Sequence, residues 1–180
     1  MNELKIARVK LDLDAKPIGE PLNAATDVAS FLMETFGDSP NEVFGVINLS
    51  SDGRPVNVCV ISQGTLNSSL VHPRELFKAS ILSNAASVIL FHNHPSGNLN
   101  PSEEDRTMTD RICVCGELLG IRVLDHIIIS PYGEYLSFMG EGLMQAHYST
   151  NRIGEIITEF GPDSPQVNID DYVSHIRRVR

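Results

Sequence analysis

The sequence predicts an α/β domain in which helices flank a mixed β-sheet. Segments rich in β-branched residues alternate along the chain with segments of helical periodicity, which is typical of this fold class. Two of the strand-like segments are joined only by the turn SDGRP, which predicts an antiparallel hairpin at one edge of the sheet. With 42% hydrophobic residues among 180, the chain can supply the core of one such domain.

The first part of the chain is predicted to form a strand, a helix and the hairpin. LKIARVKLDL, at residues 4–13, alternates enough to be a first strand. The apolar residues of ATDVASFLMETFG have helical spacing, and the helix should end at Gly37. NEVFGVINLS and VNVCVIS then form the two hairpin strands, with Asp-Gly at the centre of the turn.

The second part continues the alternation and ends in an appendage. PRELFKASILSNA is predicted to be a helix with Pro73 in its first turn. SVILFHNH is a mostly apolar strand, PSGNLNP a loop, and SEEDRTMTDRICVCGELLG a long helix closed by a glycine. IRVLDHIIIS is a further strand, and PYGEYLS turns into a short last one. The pattern then stops, so we expect a domain over 1–140 and a C-terminal appendage of uncertain order over 141–180.

The charge and the cysteine content of the chain indicate its cellular environment and the partners that it can bind. The 14 basic and 23 acidic residues give a net charge of −9, which argues against direct nucleic-acid binding because a general binding surface needs clustered Lys and Arg. Three cysteines cannot form a disulfide framework, and no signal peptide or long apolar run is recognisable. These features predict a cytoplasmic protein without a membrane span.

The Cys-x-Cys pair at positions 113 and 115 is a weak indication of a metal site. Met108, Ile112, Cys115 and Leu119 have the spacing of one helical face. We therefore expect Cys115 to be a core residue.

The stretch FHNHPSGNLNPSEED is the strongest candidate for a functional site. Side chains two apart in a strand point to the same face, so His92 and His94 should project together. A catalytic zinc takes three protein ligands and leaves a fourth position to water. Of the carboxylates that open the next helix, Asp105 lies one turn in, and we predict His92, His94 and Asp105 as ligands of Zn²⁺.

Helix capping is the competing interpretation of the same acidic residues. Ser102 followed three residues later by Asp105 resembles a capping box, and acidic residues in a first turn favour the helix dipole without any metal. Taken alone, the helix start favours capping. The two histidines that precede it favour the metal, because a strand-end pair without a partner would bury polar nitrogens at a cost.

Hydrolysis at such a site also requires a general base. Glu42, at the start of EVFGVINL, is the candidate. From spacing alone, the better interpretation is that Glu42 is an ordinary exposed glutamate that precedes a strand.

HNHPSGNLNPSEED resembles the signature of the JAMM or MPN+ metalloprotease superfamily, and specifically of its RadC-like branch. GTLNSSLVHPRELFKASILSNAASVILFHNHPSG and LLGIRVLDHIII extend the resemblance over about residues 40–138. It implies a JAB/MPN fold akin to that of cytidine deaminases, with the same three zinc ligands. It also implies that Glu42 deprotonates the water and that Ser102 stabilises the tetrahedral intermediate.

The resemblance favours a zinc-dependent hydrolase of peptide or isopeptide bonds that acts on a protein or peptide substrate. The alternative is a RadC-like accessory protein of DNA repair or of mobile elements, which reaches DNA through a partner. An inactive MPN scaffold is a third possibility, although such domains usually lack ligands that this chain keeps. A nucleobase deaminase is excluded, because it requires His-x-Glu and Pro-Cys-x-x-Cys, which the sequence lacks. The oligomeric state is left open.

Overall fold

The computed structural model describes residues 20–22, 24–64 and 71–144. These residues form a five-stranded sheet with the strand order β2-β1-β3-β4-β5. Only the β3–β4 pair is parallel, and β1 with β2, β1 with β3, and β4 with β5 are antiparallel. The elements in chain order are α1 (Ala25–Phe36), β1 (Val43–Leu49), β2 (Pro55–Gln63), α2 (Pro73–Leu82), β3 (Ser87–Asn93), α3 (Glu103–Leu119), β4 (Arg122–Ile129) and β5 (Tyr135–Ser137).

The helices cover both faces of the sheet, which gives three layers. On one face, α1 packs its buried Val28, Ala29 and Leu32 against alternate residues of β1, β3 and β4. On the other face, α2 and α3 pack against the intervening residues of the same strands. The central strands are apolar on both faces because each face has its own helical layer.

The predicted α/β fold with a mixed sheet is confirmed. Every helix and strand predicted between residues 24 and 137 is present, including the hairpin and Pro73 at the start of α2. The strand predicted over residues 4–13 lies outside the described residues. So does the appendage predicted over 141–180, apart from its first four residues. The chain divides into two units, Met1–His147 and Tyr148–Arg180, and all described residues belong to the first.

The face of α3 that was predicted to be buried is partly wrong. Met108 and Ile112 are in the core, and Cys115 is half-buried and packs against it, but Leu119 is 49% exposed. The buried strip also includes Gly116, where an added Cβ would lie 2.5 Å from the carbonyl oxygen of Ile121. Gly116 therefore allows α3 to approach the start of β4 closely.

No helix within the described ranges is both long and apolar enough to cross a membrane.

Candidate metal centre

The two histidines project from the end of β3 on the face that α3 covers. His92 is fully buried, and His94, just beyond the strand, is half-buried. The Nδ1 atom of His94 contacts the backbone carbonyl of Asn98 in the following loop. A carbonyl oxygen can only accept a hydrogen bond, so Nδ1 of His94 carries the proton. The lone pair of the His94 ring is therefore on Nε2, which faces His92.

Asp105 reaches the histidines from the first turn of α3. Ser102 caps this helix: its Oγ accepts from the Asp105 N–H at 3.1 Å, and the Asp105 carboxylate accepts from the Ser102 N–H at 2.8 Å. The Ser102 hydroxyl also donates to Asp105 Oδ2 at 2.6 Å. The capping box predicted as the alternative to a metal site is thus present, and it fixes the carboxylate that the metal site needs. Helix capping by Ser102 and metal binding by Asp105 are therefore compatible.

Three ligand-type atoms converge at this point. Atoms of His92, His94 and Asp105 lie within 4.8 Å of one another. The two Nε2 atoms are 2.9 Å apart, and the carboxylate oxygens are 3.6 Å from His92 Nε2 and 4.0 Å from His94 Nε2. Ligands about 2.0–2.1 Å from a tetrahedral zinc are about 3.3 Å apart, so the observed spacings fit such an ion.

The electrostatic environment also favours a cation at this point. Burial lowers the pKa of His92 to about 4; the negative charge of Asp105 acts in the opposite direction, and a positive charge on His94 acts in the same direction as burial. His92 is therefore neutral at physiological pH and offers a lone pair. Histidine binds a metal as the neutral imidazole, so two histidines and one carboxylate would give a ligand set with a single negative charge, which suits a divalent metal with an open position.

A second group of polar residues lies behind His92. His126, fully buried on β4, has its Nε2 atom 2.8 Å from Nδ1 of His92. Its Nδ1 atom is 2.7 Å from the hydroxyl of Thr109, one turn along α3 from Asp105. That hydroxyl lies 2.6 Å from the backbone carbonyl oxygen of Asp105. Burial lowers the pKa of His126 well below its ordinary value, and the charges of His92 and His94 act in the same direction.

Glu42 precedes β1 and is half-buried. Phe44 pairs with His92 across β1 and β3, so continuing this register places Glu42 opposite His94 and on the same face. Glu42 does not belong to the group of converging ligand atoms in the described chain. Its position suits a residue that acts beside the metal rather than one that binds it.

Asn93, between the two histidines, points to the opposite face of the sheet and is buried. It accepts a hydrogen bond from the Val43 N–H at 2.6 Å and donates to the carbonyl groups of Ser39 and Asn41 at 3.3 and 3.1 Å. These bonds fix the segment that carries Glu42. The ligand strand thus also positions the candidate base.

From the sequence, His126 lies within the apolar strand VLDHIII, where a structural role or a role in supporting a ligand is favoured over a ligand role. The sequence analysis did not identify Asn93 or Thr109 as parts of the site. One signal was available: both are polar residues at positions that strand or helix periodicity places in the interior, and a buried polar group needs a partner.

Comparison with known proteins identifies the family of this domain. The sequence matches the family model of the RadC-like JAB domain over residues 22–143. A UPF0758 protein of Staphylococcus haemolyticus is 46% identical over 121 residues, which is 67% of this chain and 53% of the relative. One from Clostridioides difficile is 42% identical over 123 residues, covering 68% of this chain and 52% of the relative.

A third UPF0758 protein, from Desulfitobacterium hafniense, is 40% identical over 152 residues, covering 80% of this chain and 66% of the relative. The chain therefore spans between about half and two thirds of the length of these relatives. From the family match and the fold together, the chain belongs to the family of RadC-like JAB domains.

Proposed function

We propose that this domain is a zinc-dependent hydrolase that cleaves a peptide or isopeptide bond of a protein substrate. The observation that carries the proposal is the convergence of His92, His94 and Asp105 at one buried point beside the N-terminus of α3. Membership of the RadC-like JAB family supports it. When bound there, zinc would supply a Lewis acid for the scissile carbonyl and lower the pKa of a water molecule to about 7.

Glu42 is the proposed general base. The β1–β3 register, when continued, places Glu42 opposite His94 on the face that carries the proposed ligands, and from there its carboxylate would accept a proton from water and pass it to the leaving amine. Its backbone is fixed by Asn93, and the Glu42 carbonyl accepts from the N–H of Gly64 at 2.9 Å. A fixed backbone restricts where the carboxylate can lie, which favours proton transfer.

Ser102 is the proposed hydrogen-bond donor to the oxyanion. It is exposed, so a substrate can reach it. Its one hydroxyl proton points to Asp105 Oδ2 at 2.6 Å. Donation to a substrate therefore requires that Ser102 exchange this bond, and once a metal shares the charge of the carboxylate, the exchange costs less.

Metal content and turnover test the two parts of the proposal separately. Elemental analysis of the purified protein should give one zinc per chain, and His94→Ala should lose it. Turnover should be assayed on a fluorogenic peptide library and on peptides joined through a lysine side chain. Glu42→Ala should abolish turnover and keep the zinc.

Glu103→Ala is the matched control, because Glu103 is an exposed glutamate in the first turn of α3, two residues from a ligand. It should keep both zinc and turnover. A wild-type protein that binds no zinc when zinc is supplied would contradict the metal centre. Activity retained in Glu42→Ala would leave the metal centre intact and contradict the assignment of the base.

A further inference from the structure

Behind the ligands, a chain of hydrogen bonds runs from the backbone of one ligand to the ring of another. It begins at the Asp105 carbonyl and passes through Thr109 and His126 to His92, with successive separations of 2.6, 2.7 and 2.8 Å. We call these three contacts the relay. They connect α3, β4 and β3, and only the last contact involves a metal-ligand side chain.

The relay has a fixed direction because its first acceptor is a carbonyl group. A separation of 2.6 Å between the Thr109 hydroxyl and the Asp105 carbonyl requires a proton between them, and only the hydroxyl can supply it. The Thr109 oxygen must then accept from His126 Nδ1. A neutral His126 with its proton on Nδ1 has a lone pair on Nε2 and must accept from His92 Nδ1. The His92 proton is thereby placed on Nδ1.

Among the described residues, the surroundings of His126 offer its ring nitrogens no hydrogen-bond partner outside the relay. The ring is completely buried and stacks on Phe138 with a centroid separation of 4.5 Å, and it packs edge to face with Phe44 at a centroid separation of 5.8 Å. Both ring nitrogens are used within the relay. The aromatic rings hold the orientation, and Thr109 selects the tautomer.

We propose that Thr109 and His126 are positioning residues that fix the tautomer of His92, so that its Nε2 lone pair faces the metal. This inference rests on the proposed metal centre and adds two residues that touch neither metal nor substrate. His94 reaches the same state through the carbonyl of Asn98. The Nε2 atoms of the two rings lie 2.9 Å apart, and a cation held between them would bind both lone pairs and relieve their mutual repulsion.

The relay predicts different effects for two substitutions at one position. Thr109→Val keeps the shape of the side chain but removes the hydroxyl, so His126 loses the acceptor for its Nδ1 proton and the His92 tautomer is no longer selected. Loss of a partner of this kind typically weakens metal binding by about 10–100-fold. Thr109→Ser keeps the hydroxyl and should bind zinc within about threefold of the wild type.

The experiment combines zinc competition against a chromophoric chelator with nitrogen-15 NMR of the histidine rings in the metal-free protein. In the wild type, His92 and His126 should both carry their proton on Nδ1. Thr109→Val should weaken zinc binding and give a mixture of tautomers at His126, while Thr109→Ser should match the wild type in both measurements. Thermal unfolding of the metal-free variants provides the control for folding.

A wild-type His92 with its proton on Nε2 would overturn the relay, and this measurement needs no variant. Equal zinc affinity in the wild type and in folded Thr109→Val would also overturn it. A wild type that binds no zinc but has the expected tautomers would instead contradict the metal centre, so the two failures are distinguishable.

Discussion

Asn93→Ala is expected to destabilise the protein through the segment that carries Glu42. The Asn93 amide is 2% exposed and makes three hydrogen bonds, to Ser39, Asn41 and Val43. Each lost bond costs about 1 kcal/mol, and a buried backbone N–H left without an acceptor costs about 1–3 kcal/mol. The two lost bonds to carbonyl groups and the unsatisfied Val43 N–H should together lower the free energy of unfolding by about 3–5 kcal/mol, and Tm by about 6–20 °C for a chain of this size.

Thermal and urea unfolding of the metal-free protein measure this loss, and hydrogen exchange at the Val43 amide locates it. Asn100→Ala is the matched control, because it removes the same atoms from an exposed asparagine in the loop between the ligands. It should change the free energy of unfolding by less than about 0.5 kcal/mol. If Asn93→Ala shifts Tm by no more than the control, the amide does not hold this segment and the reasoning fails.

Four further predictions follow from single features of the structure. Zinc at about 100 times its dissociation constant should stabilise the protein by about 2.7 kcal/mol in thermal unfolding, and His94→Ala should abolish this effect. Gly120, at the end of α3, has φ 72°, so Gly120→Ala should cost about 1 kcal/mol in urea unfolding; no cost would mean that the helix end relaxes. Burial raises the pKa of Asp125 despite hydrogen bonds from Ser137, Met139 and His126. The folded state therefore holds this proton to higher pH than the unfolded chain, and stability should fall as pH rises from the unfolded pKa of about 4 through the folded pKa. Unfolding of Asp125→Asn between about pH 4 and pH 7 should lack this component of the slope, and an identical slope would refute it. Finally, the net charge of −9 predicts no mobility shift of duplex DNA at low salt, and a salt-sensitive shift would favour the alternative of a DNA accessory protein.

The local elements and the convergence of His92, His94 and Asp105 could be predicted because their signals are contiguous in the sequence. His92 and His94 are related by strand periodicity, and Asp105 by the start of the next helix. The relay could not be predicted in this way, since Thr109 and His126 are 17 residues apart and His92 and His126 are 34 apart. Their meeting depends on the parallel pairing of β3 with β4, in which Leu90 lies beside His126.

The error at the end of α3 has a similar origin. The periodicity of apolar residues depends only on residues with apolar side chains, and in α3 it predicted Cys115 and Leu119 on the buried face. Gly116 lies so close to the start of β4 that an added Cβ would be 2.5 Å from the carbonyl oxygen of Ile121, and a glycine contributes no apolar signal. The close approach of a helix to a strand arises only when the layers pack together. The role of the glycine can therefore be recognised only after the packing is known.

The parallel β3–β4 pair also has a consequence for the order in which the metal centre is assembled. All three proposed ligands lie within residues 92–105, and closing so short a loop has a small entropic cost. The pairing of β4 with β3 needs the whole of α3 as its connection, so it forms over a longer separation. A folding chain would thus gather its ligands before His126 arrives. We expect the chain to bind zinc weakly at first and tightly only when β4 has paired with β3. Only completely folded molecules would then retain the metal.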